Sequence, residues 1–148
     1  MLKRRLGREF SNTPYEINHI CDLSGNLMDI RFVHDEHSIA AIIPADYPFN
    51  PPSKLYIDGV LMNHAYFSEH NEAVKAELKR RHCGECCFMC QSYMCSDNWA
   101  PSLTLHEVSS QMISYRDEIE RARGIDYIMS SNILPIFSEL VAEIMHWL

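Results

Sequence analysis

The chain has 148 residues, of which 22% are charged and 47% hydrophobic, and its formal net charge is −7. This length fits a single domain over residues 1–148 with a core of its own, and the hydrophobic fraction excludes a chain that is disordered throughout. The acidic balance, with a pI of about 5.5, argues against a nucleic-acid binder, because phosphate contacts require clustered lysine and arginine side chains. A protein partner is more compatible with this charge.

No run of the sequence approaches the roughly 18 consecutive apolar residues that a membrane span requires. The first ten residues are rich in lysine and arginine, and the apolar segment of a secretory signal does not follow them. We therefore expect a soluble protein of the cytoplasm or the nucleus, without a membrane partner. Cysteines in that environment are mainly reduced, so they are available for metal binding or for chemistry.

The first predicted element is a short amphipathic helix at the start of the chain. Leu2, Leu6 and Phe10 recur every four residues among lysines and arginines, which places them on one helical face. Thr13 and Pro14 then end the helix, because the residue before a proline is disfavoured in the helical conformation. The charged face of this helix is either solvated or available to a partner.

Strand-like runs follow this helix and predict a sheet. After three such runs, the proline-rich segment 46–52 excludes a helix, because its prolines lack N–H donors. A fourth run then ends at Asp58-Gly59. Tight turns between the runs predict a four-stranded antiparallel meander. The runs cover residues 17–21, 27–33, 38–43 and 54–57.

An insertion and two helices complete the predicted fold. The insertion spans about residues 65–95 and contains a charged, solvated helix. Thr104 and Glu107 form a capping box, in which the threonine caps the first turn and the glutamate reaches back, and the helix that they begin ends at Gly124. A last helix starts at about Asn132. The order of helix, sheet, cysteine-rich loop and helices predicts an α+β fold.

Three segments of the chain resemble the ubiquitin-conjugating (E2) family. Residues 47–52, Tyr-Pro-Phe-Asn-Pro-Pro, match the family signature Tyr-Pro-Phe-x-Pro-Pro at every position, and residues 99–104, Trp-Ala-Pro-Ser-Leu-Thr, resemble its Trp-Ser-Pro-Ala-Leu-Thr segment. The helix at residues 2–9 is similar to the first helix of the family. The resemblance extends to about residue 119 and implies a ubiquitin-conjugating-enzyme-like fold with a cysteine-rich loop.

The stretch before the cysteines departs from the family pattern. Members of the family carry His-Pro-Asn there, and the asparagine is thought to support the oxyanion of acyl transfer. This chain has Asn63-His64-Ala65-Tyr66, without the proline and the asparagine that should follow the histidine. The candidate donors to the oxyanion are therefore Tyr66, Asn63, Asn98 and a backbone amide, and the sequence does not choose among them.

By resemblance, one cysteine of the loop accepts ubiquitin or a related modifier as a thioester and passes it to a lysine or to another cysteine. The thiolate is the nucleophile, so the reaction needs an accessible cysteine. The family context Gly-x-Ile/Val-Cys-Leu aligns with residues 84–88, Gly-Glu-Cys-Cys-Phe, and makes Cys87 the first candidate. Cys90, nine positions before Trp99, fits the family spacing better and is the second candidate.

The remaining cysteines of the loop predict a structural zinc site. Five of the six cysteines of the chain lie between residues 83 and 95, and without Cys87 they follow the spacing C-x2-C-x3-C-x4-C. Four thiolates close a tetrahedral zinc site, and His82 or His70 is able to replace one of them. Such a cross-link would hold a loop too polar to pack, whereas the alternative is that the cysteines are small buried hydrophobic residues. The candidate ligands are Cys83, Cys86, Cys90 and Cys95.

The resemblance also implies a protein-binding surface. Members of the family contact their activating enzyme (E1) and their ligases (E3) through the first helix and two loops. The corresponding residues of this chain are Arg4, Arg5, Arg8, Phe49, Pro101 and Ser102.

Three functions follow from these residues. The first is an active, divergent conjugating enzyme that uses Cys87 beside a zinc-stabilised loop. The second is an inactive variant that binds ubiquitin or another partner and uses its cysteines for zinc alone, which the missing asparagine favours. The third is a zinc-dependent scaffold in a ligase assembly. A thioester assay separates the first function from the other two.

Overall fold

Consecutive strand-like runs joined by tight turns form an antiparallel sheet, one face of which is buried. The computed structural model describes residues 2–22, 25–81 and 88–130. Within these ranges the five strands lie in the order β1-β2-β3-β4-β5, with the bounds β1 Tyr15–Asp22, β2 Gly25–His34, β3 His37–Pro44, β4 Lys54–Ile57 and β5 Val60–Leu61. The helices are α1 Leu2–Glu9, α2 His64–Ser68, α3 Glu72–Arg81, α4 Phe88–Gln91 and α5 Leu105–Ser130. The predicted α+β class is confirmed.

The inner face of the sheet lies in the core. In β2, Ile30 is fully buried, whereas Arg31 and Val33 on the opposite face are exposed. Phe10, just after α1, has its ring centroid 4.9 Å from that of Phe32, and the ring of His106 in α5 lies 5.1 Å from Phe32. The residue that follows α1 and the first turn of α5 therefore both contact the buried face. Other buried side chains of this core are Leu6, Ile39, Ile43, Leu55, Ile57, Leu105, Val108 and Met112.

The sheet has one strand more than predicted. Asp58 and Gly59 lie at φ values of 50° and 80°, as the two central residues of a tight hairpin turn require, and they join Ile57 to its partner Val60. The prediction of four strands is therefore wrong. Asp58-Gly59 does end β4, but it leads directly into β5, which has two residues and is too short to show a periodicity in the sequence.

Helix α5 begins where the capping box predicts and continues past its predicted end. Thr104 N donates to Glu107 Oε2 at 2.7 Å, and Glu107 N donates to Thr104 Oγ1 at 3.2 Å. The helix continues through Gly124 to Ser130, so the prediction of an end at Gly124 is wrong, because an interior glycine costs a long helix only about 1 kcal/mol. The helix predicted from Asn132 lies outside the described residues. Within the described ranges, no helix combines the length and the apolarity that crossing a bilayer demands.

The chain divides into two compact units. The first unit comprises residues 1–69 and 85–115, and the second comprises residues 70–84 and 116–148. The sheet, α1, α2, α4 and the first turns of α5 belong to the first unit. Helix α3 belongs to the second unit, and its exposed ion pairs join residues three positions apart. This helix confirms the helical prediction for the insertion.

Candidate functional site

The two motifs that carry the family resemblance meet in the first unit. The indole Nε1 of Trp99 donates to the carbonyl oxygen of Pro48 at 2.7 Å, and the rings of Tyr47 and Trp99 lie 5.9 Å apart between centroids. The Tyr47-Pro48 peptide bond is cis. As predicted, the proline-rich segment 46–52 forms turns rather than a helix. The tryptophan therefore fixes one end of the cysteine segment against this proline loop.

Glu9, at the end of α1, connects the same loop to the start of α5. Its Oε1 accepts from Arg5 Nε at 2.5 Å and from the Tyr47 hydroxyl at 2.7 Å, and its Oε2 accepts from Leu105 N at 3.1 Å. The Glu9 side chain is only 2% exposed. Burial, and after it the Glu9 carboxylate, raise the pKa of Tyr47 well above its ordinary value, so the hydroxyl remains a donor. One buried carboxylate thus holds three segments in place.

Hydrogen bonds within residues 88–99 hold the described part of the cysteine segment together. Cys90 lies in α4 and is exposed, whereas Cys95 lies in the following turn and is half-buried. The side-chain amide of Asn98 donates to the carbonyl oxygens of Cys90 at 2.7 Å and of Ser92 at 3.2 Å. Asn98 N and Trp99 N both donate to the carbonyl oxygen of Cys95, each at 3.0 Å. Asn98 therefore positions the backbone on which Cys90 is carried.

Replacing Asn98 with alanine should lower the free energy of unfolding by about 1 kcal/mol. The substitution removes both donors from the Cys90 and Ser92 carbonyls, while the rest of the turn keeps its backbone bonds. Urea unfolding measures the loss of stability, and hydrogen exchange should show faster exchange confined to residues 90–98. The matched control is Asn18→Ala on the exposed side of β1, which should change stability by less than about 0.5 kcal/mol. Equal effects of the two substitutions would contradict the positioning role.

Helix α2, which contains the divergent histidine stretch, packs beside the helix that carries Cys90. Asn63 caps α2, since its Oδ1 accepts from Tyr66 N at 2.9 Å. The ring of Phe67 lies 5.9 Å from that of Phe88 in α4, and Tyr115 of α5 lies 4.8 Å from Phe88. This aromatic cluster places α2 next to the described part of the cysteine segment.

The predicted partner-binding residues do not share one environment. Arg4, Arg8, Pro101 and Ser102 are exposed, and Phe49 keeps 61% of its surface exposed, which is high for a large apolar side chain. Arg5 instead lies half-buried, and its Nη2 donates to the carbonyl oxygens of Leu103 at 2.7 Å and of Ser102 at 3.4 Å. Its guanidinium therefore stabilises the loop before α5, in addition to pairing with Glu9.

The predicted zinc ligands are only partly within the described structure. Residues that lie outside it are Cys83, Cys86, Cys87 and His82. His70 lies in the second unit, where its Nδ1 is 3.4 Å from Arg123 Nη2. In the parts of the chain that the structure describes, no three His, Cys, Asp or Glu side chains form a group able to hold a metal. The zinc site and the first candidate nucleophile therefore stay predictions.

Glu9 and Asn98 are the site residues whose roles the sequence did not indicate. In the sequence, Glu9 is one charged residue of a charged helix, and Asn98 is one of several candidate oxyanion donors. The partners of both residues belong to the tertiary structure, so no local spacing reveals them.

No protein-family model, curated protein or solved structure matches this chain.

Proposed function

We propose that this chain is a divergent ubiquitin-conjugating enzyme with a ubiquitin-conjugating-enzyme-like fold, working in the cytoplasm or the nucleus. It accepts ubiquitin or a ubiquitin-like modifier as a cysteine thioester from an activating enzyme and transfers it to a lysine or to a ligase. The observation that carries this proposal is the hydrogen bond from Trp99 to Pro48. It joins two signature motifs that lie 51 positions apart, beside a cysteine segment.

The chemistry requires one thiolate. A cysteine thiolate of this chain attacks the carbonyl carbon of the modifier thioester on the activating enzyme. A new thioester forms as the bond to the sulfur of the activating enzyme breaks, and that sulfur leaves as a thiolate. The glycine context supports Cys87 as the nucleophile. Cys90 is supported by its spacing to Trp99 and by the exposure of the Cys90 side chain.

Members of the family are thought to stabilise the oxyanion of this attack with an asparagine, which this chain lacks at the corresponding position. Both donated hydrogen bonds of the Asn98 amide go to backbone carbonyls, which supports a positioning role for this residue. Asn63 uses its side-chain oxygen to cap α2. Tyr66 and the backbone amides of the cysteine segment are the donors that we propose for the oxyanion.

The same proposal gives the exposed residues of α1 and the two loops a role. Arg4 and Arg8, with Phe49 and the Pro101-Ser102 loop, would contact the activating enzyme and the ligase. Arg5 would stabilise that surface, because its guanidinium donates a hydrogen bond to the Leu103 carbonyl oxygen. A structural zinc ion would hold the adjoining loop, bound by Cys83, Cys86, Cys90 and Cys95.

The proposal is tested by incubating the purified chain with activating enzyme, ATP and ubiquitin, followed by gels with and without reductant. We expect a band larger by one ubiquitin, present only with ATP and removed by thiol. Zinc content is measured on the same sample. A protein that is folded, holds zinc and forms no conjugate with ubiquitin or a small panel of modifiers would instead be the inactive binding variant.

A further inference from the structure

Two histidines from separate elements contact each other through their ring nitrogens. His34 ends β2 and His106 lies in the first turn of α5. Their Nδ1 atoms are 3.2 Å apart, and their ring centroids are 5.1 Å apart with the planes inclined by 48°. Both residues belong to the first unit of the chain. Neither one takes part in the site described above.

The opposite nitrogen of His34 already has hydrogen-bonding partners. His34 Nε2 lies 2.6 Å from Ser110 Oγ and 3.4 Å from Asp35 Oδ2. At 3.2 Å the two Nδ1 atoms are hydrogen-bonded to each other, so one of them carries a proton. When that proton moves to Nε2 of the same ring, both Nδ1 lone pairs face the space between the rings, and an ion is able to replace the proton.

We propose that the Nδ1 atoms of His34 and His106 bind one divalent transition-metal ion of the class of Zn²⁺ or Ni²⁺. Two nitrogens at about 2.1 Å from one ion are roughly 3.4 Å apart at a tetrahedral angle and roughly 3.0 Å apart at a right angle. The observed 3.2 Å lies between these values. Imidazole is a preferred ligand of these ions.

The surroundings of the pair match those of metal-binding histidines. Such histidines usually donate their second N–H to a carbonyl or another oxygen, which fixes the tautomer that leaves the first nitrogen free to bind. Ser110 and Asp35 supply such oxygens to His34. The rings of Phe10 and Phe32 lie 4.9 and 5.1 Å from the His106 ring and restrain its orientation.

The remaining coordination positions belong to solvent. The His34 side chain is 17% exposed, so the pair is reached from the surface. Among the described residues, no third histidine, cysteine or carboxylate completes a group with these two. The ion would therefore link the end of β2 to the start of α5 with open positions, unlike the closed thiolate site predicted in the cysteine loop.

The experiment titrates Ni²⁺ into the full chain. The protein is first loaded with Zn²⁺ and dialysed, so that a tight thiolate site stays filled while a two-histidine site empties. Calorimetry gives the stoichiometry, and paramagnetic broadening of the histidine side-chain NMR signals locates the ion. We expect one equivalent to bind, with broadening strongest at His34 and His106.

Single variants then test the two ligands. His34→Gln and His106→Gln should each weaken Ni²⁺ binding by at least roughly tenfold. His37→Gln, which changes a histidine bonded to Asp58 at 2.7 Å, is the matched control and should bind as the parent does. Because the broadening is measured on the parent chain, the proposal is testable even if a variant does not fold. Broadening centred on other histidines, no binding at millimolar Ni²⁺, or unchanged binding in both folded variants would overturn it.

Discussion

The Cys87→Ser variant is expected to lose the thiol-sensitive ubiquitin conjugate completely, whereas the Cys90→Ser variant should retain it. The hydroxyl of serine is essentially un-ionised at neutral pH, while a cysteine has an appreciable thiolate fraction. A serine at the nucleophile position therefore forms no thioester, and any oxygen ester that it forms resists reductant. The measurement is the gel assay with activating enzyme, ATP and ubiquitin, run on both variants beside the parent.

The control for these variants separates catalysis from zinc binding. Cys95→Ser removes a proposed zinc ligand without touching either candidate nucleophile, so zinc content measured on all variants shows what loss of the metal alone does. If the conjugate survives Cys87→Ser and disappears in Cys90→Ser, the nucleophile is Cys90. The zinc set must then be redrawn, because Cys90 is also one of its four proposed ligands.

The Glu9→Gln variant should lose about 3 kcal/mol of unfolding free energy, a large part of the stability of a domain of this size. The carboxylate accepts from three donors: Arg5, the Tyr47 hydroxyl and Leu105 N. Glutamine has the same shape, but its amide nitrogen is itself a donor and would face at least one of these groups. The substitution also removes the negative charge beside the N-terminus of α5 and leaves the half-buried Arg5 without its ion-pair partner.

Urea unfolding monitored by circular dichroism measures this loss. Glu16→Gln, on the exposed side of β1, makes the same chemical change and should stay within about 0.5 kcal/mol of the parent. Tyr47→Phe removes one of the three donors together with its need for a partner, and should cost about 1 kcal/mol. A Glu9→Gln variant as stable as the Glu16→Gln variant would show that the carboxylate does not hold the three segments together.

Features that depend on local spacing could be predicted from the sequence. The capping box of Thr104 and Glu107 involves neighbours three positions apart. The strands β2 and β3 are strand-like runs bounded by turn residues, so both features leave a pattern in the chain. Strand β5 left none, because two residues cannot show a period. The prediction that α5 ends at Gly124 was wrong, because a glycine alone does not show whether the surrounding helix is long enough to continue through it.

The candidate site was predictable only where a motif marked it. The segments around Tyr47 and Trp99 were identified from their residues, but the hydrogen bond between Trp99 and Pro48 was not. The role of Arg5 shows the same limit. The family resemblance implied that it binds a partner. The structure engages its guanidinium with Glu9 and with two backbone carbonyls of the loop before α5.

By itself, the sequence determined the α+β class, the capped start of α5 and the two motifs that suggest a conjugating enzyme, because each follows from residues close together in the chain. Only the tertiary structure decided which polar groups meet. Glu9 is 38 positions from Tyr47 and 96 from Leu105, and His34 is 72 from His106. A buried carboxylate or a pair of imidazoles acquires its role from the donors and acceptors that folding brings within hydrogen-bond distance. The spacing of these residues along the chain does not predict that distance.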